Sequence, residues 1–205
     1  MTHRLPRLLL CCCLPVLLTG CSVHVQKGEN GEDKRVHIDT PLADLRVNTD
    51  KAPQNIGIGV YPGAAPSSDH DGDKNADVKV GFGAWQVRVQ VAHYTVPDAE
   101  AKLITWYRRE LGSHGDVIEC RGSQPVGTPS RTSDGLTCEE NDYAGTVALR
   151  GHEDDGLTLR AGSRHRQYRV AFDKDDPDAA AGPTKFTLIG LELPPESWKK
   201  DRQPD

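Results

Sequence analysis

A chain of 205 residues is long enough for one domain with a substantial core and flanking segments. Its 25 Lys and Arg against 30 Asp and Glu give a formal net charge of −5, which argues against non-specific binding to nucleic acid or to an anionic membrane face. Only 36% of residues are hydrophobic, while 20 are Gly and 14 are Pro, which points to many turns and short strands and away from a helical bundle.

At the N-terminus Arg4 and Arg7 precede an apolar run over residues 8–18 that ends on Leu17-Leu18-Thr19-Gly20-Cys21. The run is short of the roughly 20 apolar residues that a spanning helix needs. A basic start, a short apolar middle and a small-residue exit are the marks of a cleaved signal. The competing reading, an uncleaved membrane helix, does not account for Thr19-Gly20-Cys21 at the exit. Leu18-Thr19-Gly20-Cys21 resembles the lipobox of bacterial lipoproteins, in which a small residue precedes a cysteine that is acylated and becomes the mature N-terminus. The resemblance implies a signal peptide over 1–20, lipidation at Cys21 with palmitate or a similar chain, and membrane anchoring in the cell envelope facing the periplasm. Ser22, where an Asp would favour retention at the inner membrane, suggests the outer one.

Six cysteines then sort by position. Cys11, Cys12 and Cys13 lie in the signal and Cys21 is the lipid site. Cys120 and Cys138 remain, and two leftover cysteines in an oxidising compartment usually pair. Their spacing suits a disulfide across two strands joined by a long loop. The alternative of a redox or metal role lacks the Cys-x-x-Cys spacing that would support it.

Residues 21–55 read as a lipidated, mostly flexible tether, polar around Gly28-Glu29-Asn30-Gly31-Glu32-Asp33-Lys34, with weak strand signals over 35–40 and 44–48. Residues 56–195 form the domain, and 196–205 a polar C-terminal tail apart from Trp198. Pro62-Gly63 predicts a turn. Val60-Tyr61-Pro62-Gly63-Ala64, then a hairpin, then a helix with Trp106-Tyr107, resembles a group of uncharacterised bacterial envelope lipoproteins with a Tyr-Pro-Gly-Ala segment. The likeness covers about 57–112 and implies no activity; Val96 departs from it, standing where a Ser or Asp cap is usual.

Alternation predicts a hairpin over 77–81 and 85–92, with Gly81 and Gly83 at its turn. Pro97 opens a helix running to 111, with Gly112 as its stop and Ala99, Leu103, Tyr107 and Leu111 on the buried face. Strands follow over 117–120, 136–139, 143–150, 157–161, 168–173 and 185–192, the last buried on both faces. The expected fold class is α+β: an antiparallel sheet of hairpin, helix, then strand meander, with one principal helix packed on it. In such a meander the acidic turns at 151–156 and 173–178 share one end, and the basic turn at 162–166, with Arg160 and Arg169 nearby, lies at the other. A cation at the acidic end and phosphate or carboxylate at the basic end are the binding readings; charged surface turns are the plain one.

No catalytic constellation emerges. Asp69-His70-Asp71-Gly72-Asp73-Lys74-Asn75-Ala76-Asp77 has calcium-loop spacing, but Lys74 or Ala76 falls where a Gly is required and Val80 or Phe82 where a Glu is required. The histidines after the signal lack metal-ligand spacing, and His93 reads as structural. Nucleophile-elbow, Walker and dinucleotide motifs are not found. Trp85 and Trp106 read as core or core-edge residues, with a sugar-binding face as the alternative. The reading is a non-enzymatic, lipid-anchored envelope protein with no cofactor, no metal and no nucleic acid, which binds an unknown envelope protein or assists an assembly. A small-ligand or cation-binding module is the alternative, and an enzyme the third reading.

Overall fold

The computed structural model describes residues 22–27, 33–40, 43–49, 52–53, 55–67, 75–82, 85–139, 156–172 and 183–194. Its strands are β1 (Ser22–Lys27), β2 (Asp33–Asp39), β3 (Asp44–Asn48), β4 (Ala65–Pro66), β5 (Ala76–Phe82), β6 (Trp85–Val96), β7 (Val117–Arg121), β8 (Gln124–Pro125), β9 (Leu157–Gly162), β10 (Arg166–Phe172) and β11 (Thr184–Glu192). One helix, α1 (Glu100–Leu111), stands between β6 and β7. The strands form one sheet in the order β1-β2-β3-β5-β6-β11-β10-β9-β7-β8, with β4 paired to β6. All the pairings are antiparallel. The sheet is therefore larger than a hairpin plus meander.

The added width comes from the stretch read as a tether. Val23/Val25, Val36/Ile38 and Leu45/Val47 each alternate with polar residues, the period of a strand with one apolar face. None of these short strands is stable alone. They add in turn to the edge of β5, whose Val78 and Val80 present the same face.

The helix starts later than Pro97. Val96 still pairs with Thr184, and the Thr184 hydroxyl donates to the Asp98 carbonyl at 2.6 Å. That holds the backbone extended through Ala99 (φ −67°, ψ 144°), which is exposed and caps without a side-chain hydrogen bond. Leu103, Tyr107 and Leu111 make the buried stripe, flanked by Ile104 and Trp106, as their spacing predicts. The α-helix ends at Leu111 with Gly112 as its C-cap, as expected; Gly112 stays right-handed (φ −59°), so a 3₁₀ turn runs on over Gly112–His114 until Gly115 (φ 115°) ends it.

Helix α1 packs with β6, β9, β10 and β11 around a main core that includes Tyr94, Leu103, Tyr107, Leu159, Phe172 and Phe186. β11 is buried on both faces as expected, Phe186 and Leu188 toward the helix, Ile189 and Leu191 away from it. Gly190 permits the close approach of the segment before the helix: a Cβ there would lie 2.9 Å from Ile56 Cγ2 and 3.0 Å from the Ile56 carbonyl. Residues 136–139 are not a strand; Thr137 bridges back to Arg131 within the same segment, and Gly135 bridges outward to Ser163. The strand expected over 143–150, residues 151–155 and 173–178 of the acidic turns, and Gly83 lie outside the described residues. Their flanks can be placed: Thr158 pairs with Ala171, so the start of β9 and the end of β10 share one end of the sheet.

Candidate functional site

The Tyr-Pro-Gly-Ala segment is a strap over α1. Ala64 N–H donates to the Tyr61 carbonyl at 3.0 Å, closing a turn in which Pro62 presets φ and Gly63 supplies φ 83°. Tyr61 N–H donates to the Tyr107 hydroxyl at 3.1 Å, and Gly59 N–H to Glu110 Oε1 at 2.9 Å. The Tyr61 hydroxyl donates to Asp98, which also accepts from Lys102 at 2.8 Å. The Lys102 ammonium and the Tyr61 hydroxyl together hold the Asp98 carboxyl below its usual range. These groups bind the strap to the helix and to each other, so the segment serves the fold.

The first four strands in sheet order form a two-faced wing. One face carries two cross-strand rows of aliphatic side chains. Val25, Val36, Val47, Val78, Val89 and Leu191 stand opposite one another in succession across six strands. Val23, Ile38, Leu45, Val80 and Val87 form the row beside it. The inner end is buried, with Val89 at 3% and Leu191 at 2% exposure, and packs with Ile189, Val87 and Val91. The outer end is open: Val25 is 43% and Val23 59% exposed. At about 4.8 Å per strand the longer row spans roughly 24 Å.

The opposite face is polar. His24, His37, Arg46, Lys79, Arg88 and Glu192 stand in cross-strand succession. Asp44 meets Arg46 at 2.9 Å and His37 at 3.5 Å; Asp77 meets Arg88 at 2.7 Å and accepts from Gln90 at 3.3 Å. Both acids thus answer neighbouring cations. An open depression of about 430 Å³ lies between His24, Gln26, Arg35, His37, Arg46 and Asn48. Its lining holds His24, Arg35, His37 and Arg46 and no carboxylate, hydroxyl or thiol, with Asp44 beside it against Arg46 and His37; the surplus of nitrogen donors suits an anion better than a cation.

The other half of the aliphatic face's side of the sheet is covered. Cys120 and Cys138 form a disulfide, Cα–Cα 5.5 Å, that lays residues 126–139 over β7 and β9. Both sulfurs are buried with Ile118 and Leu136. Thr132 organises the segment: its hydroxyl donates to the Gly162 carbonyl at 3.1 Å and accepts from Leu136 N–H at 2.9 Å. Beneath lie Arg160 and Arg169, directly opposite each other and each 1% exposed. Arg160 donates to the Cys138 carbonyl at 3.0 Å and Arg169 to Gln167 Oε1 at 2.7 Å. They are interior groups, not part of an exposed basic end. Thr158, Arg160, Gln167 and Arg169 are all buried although polar.

Of the basic turn, Arg164 donates to the Gly135 carbonyl at 3.2 Å and Arg166 meets Glu192 at 3.1 Å, so its cations take part in fold contacts. His93 is buried, its Nδ1 2.9 Å from the Thr187 hydroxyl, a structural role as expected. Cys21, Trp198 and the 68–74 part of the acidic loop lie outside the described residues; from that loop's end, Asn75 Oδ1 accepts from His93 N–H at 2.9 Å. Trp85 and Trp106 are both partly buried, Trp106 against Tyr61 and Tyr107. Among the described residues no group of three or more His, Cys, Asp or Glu is placed to hold a metal ion, and no helix is long and apolar enough to cross a membrane. Comparison of the chain with protein-family models, with curated proteins and with solved structures gives no match.

Proposed function

We propose that the protein is a lipid-anchored component of the bacterial envelope, tethered through Cys21 and facing the periplasm, that works by binding and not by catalysis. The observation that supports this reading is the aliphatic face of the wing. Apolar surface left open on a folded domain marks an interaction site, and here half-buried aliphatic rows become exposed at their outer end, at Val25 and at Val23, two residues after the lipobox cysteine. The outer membrane is the favoured location, from Ser22. Cross-linking of the lipidated protein in its own membranes, with intact mass in parallel, tests the reading. The expected results are acyl chains on a chain starting at Cys21, transfer of Cys21→Ala from the membrane to the soluble fraction, and a reproducible protein neighbour. An unacylated native chain, or clean recovery of an uncross-linked monomer, would count against it.

The basic depression on the polar face favours a second reading, a module for a small anionic ligand. Calorimetric titration with inorganic phosphate or a small dicarboxylate should give heat that His37→Ala abolishes, and no heat in the parent protein would remove this reading.

A further inference from the structure

We infer that the aliphatic face of the wing rests on the lipid surface to which Cys21 is anchored, so that the domain lies along the membrane and does not swing from a linker; this rests on the reading of Cys21 as the acylated residue. The residues after the lipobox read in sequence as a tether, yet β1 begins at Ser22. An extended residue advances about 3.3 Å, so the anchor and the sheet edge are separated by almost nothing. Acyl chains on Cys21 therefore bring the edge strand to the bilayer surface.

Which face then meets lipid follows from the alternation. Val23 and Val25 project from one side of β1, and Cys21 has their odd parity in the sequence. The two rows they begin contain only Val, Ile and Leu as far as β6. The other side of the same strands carries His24, Arg35, His37, Asp44, Arg46 and Lys79, which stay in water. Exposure along the rows rises toward the anchor, from 3% at Val89 to 43% at Val25. A surface that opens in the direction of the lipid attachment is matched to the lipid itself. The chain's net negative charge gives no electrostatic attraction to anionic lipid, so the contact is apolar and salt-insensitive.

Adjacent positions on β1 provide the test, since they are equally near the anchor and face opposite ways. Full-length protein is produced with Val25→Cys or His24→Cys, labelled with an environment-sensitive fluorophore, and reconstituted in phosphatidylethanolamine–phosphatidylglycerol vesicles. Both sites are exposed on an edge strand, so labelling leaves the core intact. With an interfacial depth of about 5–10 Å, iodide should quench the label at 25 about fivefold less than that at 24, at low and at high salt. Equal quenching in a sample whose intact mass shows acylation would overturn the inference and leave the anchor standing. A mass without acyl chains would remove the anchor and the inference with it. Protection of the label at 25 in lipid-free solution, together with a doubled sedimentation mass, would assign the face to a second copy and overturn the lipid contact.

Discussion

Replacing Tyr107 by alanine should destabilise the domain by about 3–5 kcal/mol, the range for a large aromatic removed from a core. Tyr107 is fully buried and sits where three parts of the fold meet. Its ring lies 5.5 Å from Phe186 on the central strand and 4.7 Å from Trp106 on its own helix. Its hydroxyl accepts from Tyr61 N–H, holding the strap. Tyr107→Phe separates the two contributions: the ring stays, the Tyr61 amide loses its acceptor, and the expected loss is about 1–2 kcal/mol. Urea unfolding with an unchanged slope should show both shifts in midpoint. Burial raises the phenol's pKa above its ordinary 10.0, so this contribution is complete below that pH and is lost as alkaline pH ionises the unfolded chain's tyrosine. An alanine variant as stable as the parent would show that the strap and helix are not coupled through this residue.

Removal of the disulfide by Cys120→Ala with Cys138→Ala should destabilise by roughly 3 kcal/mol in the chain-entropy view of a closed loop. The bridge joins residues 18 apart in sequence, and residues 123–130 inside it are exposed. Besides the disulfide, the segment is held by the Thr132 hydroxyl on Gly162, Ser133 N–H on Asp116 at 2.7 Å, Val126 N–H on the Glu119 carbonyl, Arg160 and Arg164 on the Cys138 and Gly135 carbonyls, and the Gly135–Ser163 bridge. The loss should lower Tm by about 6–12 °C. Proteolytic nicking should concentrate within 122–137, because the bridge closes this loop and residues 123–130 in it are exposed. An unchanged Tm, with the parent bridge verified by non-reducing peptide mapping, would show that Thr132 and its neighbours suffice.

How much of this was legible in the sequence differs from element to element. The hairpin, the helix stripe and β9 through β11 carry clean periods of two or 3.6, and they appear where those periods place them. The disulfide followed from elimination among the cysteines. β2 and β3 gave only weak strand signals and β1 none, because five to seven residues with two valines or their equivalent say little alone; they are strands because β5 offers an edge of matching register. The late start of α1 was likewise invisible, since it depends on Thr184 holding Asp98 across a separation of 86 residues.

The sequence by itself determined the elements whose apolar spacing repeats over several turns or alternations, because that spacing is a local property of the chain. Tertiary structure alone decided which polar residues are interior and which apolar ones are open. Arg160 is buried beneath a segment cross-linked through Cys138, whose carbonyl accepts from it. Val23 and Val25 are exposed because their strand is the last in the sheet, with no described neighbour to close the rows. Burial is set by what packs above a face, and that partner is remote in sequence.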